Sequence, residues 1–139
     1  MKKEMKTLDF KVDARAAMPV YEQVKQEIKL LIISGYLEPE DKLPPIRELA
    51  SQLKINSNTI VKVYFQLDVE GYIYSQPGTG YFVRADWQSN KDEKQDLFDQ
   101  ITQEYISKGL KLGYSLEAMA TRLRKRADDA GKKKELSKN

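Results

Sequence analysis

The spacing of apolar residues in the first half of the chain predicts three helices. The first covers residues 18–34, where apolar side chains recur every three or four positions and Gly35 stands at the place of a C-terminal cap. Pro44 and Pro45 open a second, short helix, because proline at the first helical position sacrifices no needed N–H. A third helix runs to about residue 70. The apolar faces are Val20, Val24, Ile28, Leu31 and Ile32; Ile46, Leu49, Ala50 and Leu53; and Ile60, Val63, Tyr64 and Leu67.

Two short β segments after the third helix predict a hairpin. Residues 72–75 and 81–83 are rich in aromatic and β-branched side chains and flank the loop Gln76-Pro-Gly-Thr-Gly. Three helices with a tight connection between the second and third, followed by a hairpin, follow the order of a winged helix-turn-helix. An unrelated small α+β domain with a hairpin is the alternative. We predict an α+β fold with a winged helix-turn-helix over residues 10–85.

The last third of the chain predicts a short all-α tail. Two helices separated by a break at residues 109–113 form a dimerisation region over residues 91–130, and the lysine-rich residues 131–139 are expected to be frayed. The apolar side chains of these helices exceed what two isolated helices can hide, so we expect them to be buried across a symmetric dimer interface. Packing onto the winged-helix domain is the alternative. The predicted interface residues are Leu97, Phe98, Ile101, Tyr105, Leu116, Met119 and Leu123.

Composition excludes several classes of function. The sequence has no cysteine and no histidine, which removes disulfides, thiol nucleophiles, imidazole catalysis and nearly every zinc site. No motif places a nucleophile beside a base, and Gly78-x-Gly80 is too short for a dinucleotide fingerprint, so we expect no enzyme, no cofactor and no metal site. No apolar run is long enough to cross a bilayer, and the polar start lacks the apolar stretch of a signal peptide. A cytoplasmic protein without a membrane partner is the expectation.

Net charge does not by itself indicate a nucleic-acid partner. The formal charge is +3, but residues 10–85 carry nine Lys plus Arg against nine Asp plus Glu. Any phosphate affinity of this half must therefore come from the placement of a few cations, helix ends and backbone amides.

Several segments, in this order along the chain, resemble the GntR family of bacterial regulators. They are Pro19-Val-Tyr-Glu-Gln, Leu43-Pro-Pro-Ile-Arg-Glu-Leu-Ala, Glu70-Gly-Tyr-Ile and Gly78-Thr-Gly-Tyr-Phe-Val. The segment Asn56-Ser-Asn-Thr-Ile-Val-Lys-Val-Tyr is similar to the pattern of the YtrA-like branch, whose short C-terminal helix pair serves dimerisation. The resemblance implies a DNA-binding winged helix and leaves no room for the larger effector-binding or aminotransferase-like domains of other branches.

The resemblance implies DNA contacts at three places. Arg47 lies on the outer face of the second helix, where spacing alone favours a solvated side chain paired with a glutamate. Short polar residues at the start of the third helix can meet phosphates and base edges, and one of them also caps the helix. Lys62 is the only cation of that helix and is expected to contact a phosphate or a base. The wing tip contains glycine, and it either approaches the minor groove or merely forms a turn. The predicted contacts are Arg47, Asn56, Ser57, Asn58, Thr59, Lys62, Gly78 and Thr79.

The sequence departs from the family in the recognition region. Many members carry arginine at the equivalents of Ser57 and Val61, and such arginines commonly read guanine, so a relative's operator sequence is not transferable. Val61 and Phe65 lie near the exposed side of the helix. Contact with thymine methyl groups and packing against the wing both remain open for them.

These observations favour a dimeric repressor that binds palindromic operator DNA, with its own operon as target. The family resemblance suggests a transporter operon, and no residue pattern identifies a small-molecule effector. A winged-helix protein-interaction module without DNA binding is the alternative. The balanced formal charge of residues 10–85 supports it.

Overall fold

The computed structural model describes residues 6–86 and 91–137 and has the predicted order of elements. A winged helix-turn-helix is followed by two long helices, and the described residues divide after Lys94 into two compact units. The helices and strands are α1 (Val20–Ile33), α2 (Ile46–Leu53), α3 (Ser57–Val69), β1 (Ile73–Gln76), β2 (Gly80–Val83), α4 (Lys91–Lys111) and α5 (Leu116–Ser137). Within the two described ranges, no helix is both long and apolar enough to cross a membrane.

The core of the first unit is built by the predicted helix faces. Helix α3 packs against both α1 and α2, and its four inward residues are completely buried. Val20 and Leu31 of α1, and Ile46 and Leu53 of α2, are only partly buried at the edge of this core. The fully buried interior holds α3 in a fixed orientation, with its opposite side facing solvent.

The turn between α2 and α3 sets the direction of α3. Lys54 adopts a left-handed conformation (φ 58°, ψ 46°), and its N–H donates to the carbonyls of Ala50 and Ser51. The N–H of Ile55 donates to the Ala50 carbonyl at 3.0 Å, which completes a Schellman cap. This cap ends α2 sharply, and the chain enters α3 only two residues later.

The winged-helix unit begins earlier than predicted. Leu8 is fully buried in its core, so the predicted boundary at residue 10 was too late. The segment is held by Gln52, whose side-chain amide donates to the Leu8 carbonyl at 2.6 Å, and by Lys6, which forms a 2.9 Å ion pair with the buried Asp41. Leu8, Phe10 and Val12 alternate with polar residues, and this short period-two pattern was the signal that the prediction overlooked.

The wing is an antiparallel hairpin with Ile73 paired to Val83 and Gln76 paired to Gly80. Its base is extended on one side by residues 40–43. The Val83 N–H donates to the Asp41 carbonyl at 2.9 Å, and the Leu43 N–H donates to the Tyr81 carbonyl at 2.9 Å. These bonds anchor the hairpin to the segment that leads into α2, leaving the loop at its far end exposed.

Tyr64 joins α3, the proline turn and the wing. Its hydroxyl donates to the Pro44 carbonyl at 2.7 Å, and its ring meets Tyr81 edge-on with centroids 5.1 Å apart. Burial raises the pKa of the Tyr64 phenol above its ordinary range, because the charged form would lose solvation. The neutral phenol therefore links the proline turn that precedes α2 to the middle of α3.

We expect Tyr64→Phe to lower the free energy of unfolding by about 1–2 kcal/mol, because it leaves a buried carbonyl without its donor. The measurement is urea denaturation followed by circular dichroism. Tyr74→Phe is the matched control, since the Tyr74 hydroxyl bonds Glu40 at an exposed position, and its effect should stay within about 0.5 kcal/mol. Equal effects of the two variants would contradict this role of Tyr64.

The second unit consists of most of α4 together with α5. Gly109 allows the two helices to approach closely, because a Cβ built on it would lie 2.2 Å from the Met119 sulfur. The turn between them uses Gly113 (φ 94°), and the Tyr114 N–H donates to the Gly109 carbonyl at 3.0 Å. Helix α5 continues to Ser137, so the prediction of a frayed backbone from residue 131 was wrong for residues 131–137. Lysine is a good helix former even without an apolar stripe, which accounts for the continuation.

Candidate nucleic-acid interface

The N-terminus of α3 presents exposed polar side chains. Asn56 caps the helix, with its side-chain oxygen accepting from the Asn58 N–H at 2.8 Å. The Asn56 carbonyl accepts from the Thr59 N–H at 3.0 Å. Asn56, Ser57 and Asn58 are exposed and Thr59 is half-buried. The predicted capping role thus belongs to Asn56, while the side chains of Ser57 and Asn58 remain accessible to a ligand.

Arg47 projects from α2 into solvent. Within residues 6–86 and 91–137 it forms no ion pair, so the pairing with a nearby glutamate considered from sequence spacing is absent there. Leu49 and Ala50 of the same helix are buried. An arginine on the outer face of a helix fixed by its buried side can approach an anionic surface without breaking an existing ion pair.

Lys62 is held over an aromatic ring. Its ammonium nitrogen lies 4.6 Å from the centroid of the Tyr21 ring, a cation–π distance. Two neighbouring cations of α1, Lys25 and Lys29, share the single Glu70 carboxylate at 2.9 and 3.4 Å, so their combined charge is only partly offset. Among the described residues Lys62 makes no ion pair, so it retains its full charge on the exposed side of α3.

The wing tip is a tight exposed turn. The Thr79 N–H donates to the Gln76 carbonyl at 3.0 Å, and Gly78 between them has φ +76°. Proline followed by a residue with positive φ is the arrangement of a type II turn, which favours glycine at that position. A Cβ added at Gly78 would meet nothing within 4 Å. Glycine is therefore favoured here by the positive φ angle and not by a lack of space. Gly78 and Thr79 are both exposed.

The exposed side of α3 also carries apolar residues that the predicted site omitted. Val61, Phe65 and Val69 are 47%, 59% and 66% exposed. The first two therefore remain largely in solvent and are not buried by the wing. Their four-residue spacing was the signal that could have placed them together with the polar N-terminus of the helix.

All eight predicted contact residues lie in the first compact unit, and all except Thr59 are exposed. Ser57, Asn58 and Lys62 share the solvent side of α3, because their neighbours Ile60, Val63 and Tyr64 are buried. Among the described side chains, no three acidic groups cluster in a way that could hold a metal ion. The arrangement offers hydrogen-bond donors, acceptors and two cations without an ion pair.

The predicted dimerisation residues divide into two groups. Leu97 and Met119 are each only 6% exposed in the single chain, so the prediction that they offer accessible surface does not hold for this conformation. Phe98, Leu116 and Leu123 are more than half exposed, and Ile101 and Tyr105 are 36% and 40% exposed. Three exposed apolar residues were missed because they lie within or next to the predicted break between the helices: Leu110, Leu112 and Tyr114.

We expect Asn56→Asp and Asn56→Ala to separate capping from DNA contact. Aspartate caps a helix as well as asparagine does, so Asn56→Asp should keep stability within about 0.5 kcal/mol, whereas Asn56→Ala should cost about 1 kcal/mol. If DNA lies against this helix end, the new carboxylate would be repelled by phosphates and DNA affinity should fall. Thermal unfolding and fluorescence anisotropy measure the two effects. Unchanged affinity of the stable Asn56→Asp variant would remove Asn56 from the interface.

Comparison with known proteins gives consistent matches. The pattern described as "Bacterial regulatory proteins, gntR family" matches residues 20–83. The chain is 42% identical over 72 residues to the HTH-type transcriptional repressor YtrA of Bacillus subtilis, covering 52% of this chain and 55% of that repressor. The chain therefore matches only about half the length of that relative.

Two solved structures match over most of their length. A GntR family transcriptional regulator from Listeria monocytogenes is 33% identical, with a TM-score of 0.58, and the match covers 78% of this chain and 96% of that one. YtrA from Sulfolobus acidocaldarius, a GntR-family transcription factor, is 30% identical, with a TM-score of 0.51 and coverage of 88% and 99%. Both matches extend beyond the winged helix into the helical tail.

Proposed function

The chain belongs to the GntR family of bacterial regulatory proteins, which are DNA-binding transcription regulators, and on that premise we propose that it represses its own operon as an operator-bound dimer. The observation that carries the proposal is the exposed N-terminus of α3. It presents Ser57 and Asn58 beside Lys62, on a helix whose opposite side is completely buried. Such a helix can enter a groove as a rigid body.

Recognition would use α3 in the major groove, with its N-terminal residues at the base edges. Asparagine can pair in a bidentate manner with adenine, and serine can bond to either type of base pair, so Asn58 and Ser57 would contribute to specificity. Arg47 and Lys62 would bind phosphates and fix the register of the helix on the duplex. Gly78 and Thr79 at the wing tip would approach the adjacent minor groove.

The apolar surface of the second unit supports the proposed dimerisation. Phe98, Leu116 and Leu123 are more than half exposed in the single chain, and several large exposed apolar side chains on one short helical unit are typical of an interaction site. A two-fold dimer presents the same patch from both copies and places two α3 helices for a palindromic operator. One winged helix reads only a few base pairs, so the dimer supplies the additional specificity.

Repression by occupying a promoter is the output that we propose. The YtrA relative is named a repressor. We also propose a cytoplasmic location, where operator DNA is accessible, and no catalytic activity.

Binding to the DNA upstream of its own gene tests this function. Fluorescence anisotropy at physiological salt with excess nonspecific competitor should give saturable binding of two chains per site. Binding that disappears with competitor would contradict autoregulation. If a selection from random sequences also yields no site, the alternative of a winged-helix protein-interaction module is favoured.

A further inference from the structure

The exposed side of α3 carries an apolar stripe that neither the core nor the helix cap uses. Val61, Phe65 and Val69 follow one another at four-residue intervals and are 47%, 59% and 66% exposed. Residues four apart lie on the same side of a helix, and Val61 is itself four residues after Ser57. The stripe therefore begins on the side of α3 that holds the polar N-terminus.

The composition of α3 limits which bases it can read. Its sequence, Ser-Asn-Thr-Ile-Val-Lys-Val-Tyr-Phe-Gln-Leu-Asp-Val, contains one lysine and no arginine. The commonest specific contact to guanine is a bidentate one from arginine or lysine, and Lys62, the only such residue of α3, is the side chain that the proposed function assigns to a phosphate. Contacts to adenine and thymine are left as the main route to specificity in the major groove.

We propose that Val61 and Phe65 are specificity-determining residues that read thymine C5-methyl groups in the major groove of the operator. The thymine methyl is the one apolar group on the major-groove edges of the bases, and apolar side chains contact it directly. This inference rests on the proposed function, because it requires α3 to lie in the groove. Scattered exposed apolar residues are ordinary on protein surfaces, but these two continue the same side of α3 as the polar contacts.

The spacing of the two side chains defines the pattern that they would read. Residues four apart in a helix are separated by about 6 Å along its axis, and successive bases of one strand by about 3.4 Å. Val61 and Phe65 would thus reach thymines about two base-pair steps apart in each half-site. Burial of one methyl group against an apolar side chain should change affinity by roughly three- to fivefold.

Deoxyuridine substitution tests the inference with the full chain. An operator is first selected from random sequences, and each thymine is then replaced by deoxyuridine, which removes the methyl group and keeps the hydrogen-bonding edge. We expect a three- to fivefold loss of wild-type affinity at one or two thymines of each half-site. Val61→Ala or Phe65→Ala should lower affinity for the thymine operator and abolish the sensitivity at one of those positions.

Val69→Ala is the matched control, because Val69 is even more exposed than Val61 and Phe65 but lies in the last turn of α3. It should retain the wild-type pattern, and circular dichroism should show that all three variants fold. Insensitivity of the wild type to every deoxyuridine, or sensitivity that persists unchanged in both test variants, would overturn the inference while leaving operator binding intact. Failure to select any specific sequence would instead contradict the proposed function, and with it the inference.

Discussion

The double variant Arg47→Ala, Lys62→Ala is expected to lose operator affinity by about 100-fold while keeping its fold. Each side chain contributes roughly a tenfold factor if it binds a phosphate or a base edge, and each step of 1.4 kcal/mol corresponds to tenfold. Neither side chain makes an ion pair in the described part of the chain, so their removal breaks no internal salt bridge. The salt dependence of binding should also weaken, by roughly one unit of slope for each phosphate that the variant no longer binds.

A matched variant separates local contact from bulk charge. Arg124→Ala, Lys125→Ala removes the same two positive charges from exposed positions on α5. It should change affinity by less than about threefold if binding depends on the local contacts of Arg47 and Lys62, because the long-range attraction of exposed charges is screened at physiological salt. Equal losses for the two double variants would show that binding depends on net charge alone and would remove Arg47 and Lys62 from the interface.

Placing a charge in the apolar surface of the tail is expected to produce monomers. Phe98→Asp and Leu123→Asp each introduce a carboxylate at a position more than half exposed in the single chain, so the chain should fold. In a dimer interface the carboxylate would be desolvated without a partner, which costs several kcal/mol. Sedimentation equilibrium should show dissociation, and operator affinity should fall by at least about 100-fold because each monomer reads one half-site.

Gln103→Asp provides the control for charge on the same helix. Gln103 is exposed on α4 and lies on the opposite side from Ile101, so a carboxylate there should leave the dimer and its DNA affinity intact. Dimerisation that survives both Phe98→Asp and Leu123→Asp would contradict the proposed interface. A wild-type chain that sediments as a monomer at all concentrations would contradict dimerisation itself.

The winged helix was predictable because its signals are local. Both ends of α1, the start of α2 and the end of α3 lie within two residues of the predicted positions, since amphipathic spacing, proline at the start of α2 and Gly71 after α3 are all visible in the sequence. The strands were placed within one residue. The left-handed Lys54 had no such signal, because lysine carries no preference for that conformation.

The remaining differences arise from contacts that are distant in sequence. The segment around Leu8 is held by distant residues, with Tyr36 donating to the Thr7 carbonyl and Gln52 to the Leu8 carbonyl, and the local alternation of apolar residues does not reveal these partners. Met119 belongs to the same apolar stripe as Leu123. It is nevertheless buried within the chain, because Gly109 has no side chain and the Met119 sulfur packs there. Periodicity identified which residues lie on the apolar side of α5, but only the packing against α4 decides which of them remain available for a partner.

Selection of binding sites from random DNA with the full chain, at physiological salt, tests the central claim most directly. The account predicts enrichment of a palindromic sequence, bound by two chains with a dissociation constant on the order of 10⁻⁸ M or tighter and at least about 1000-fold in preference to a scrambled duplex. Absence of an enriched sequence, or an enriched duplex bound no more tightly than its scrambled counterpart, would contradict sequence-specific regulation by this chain.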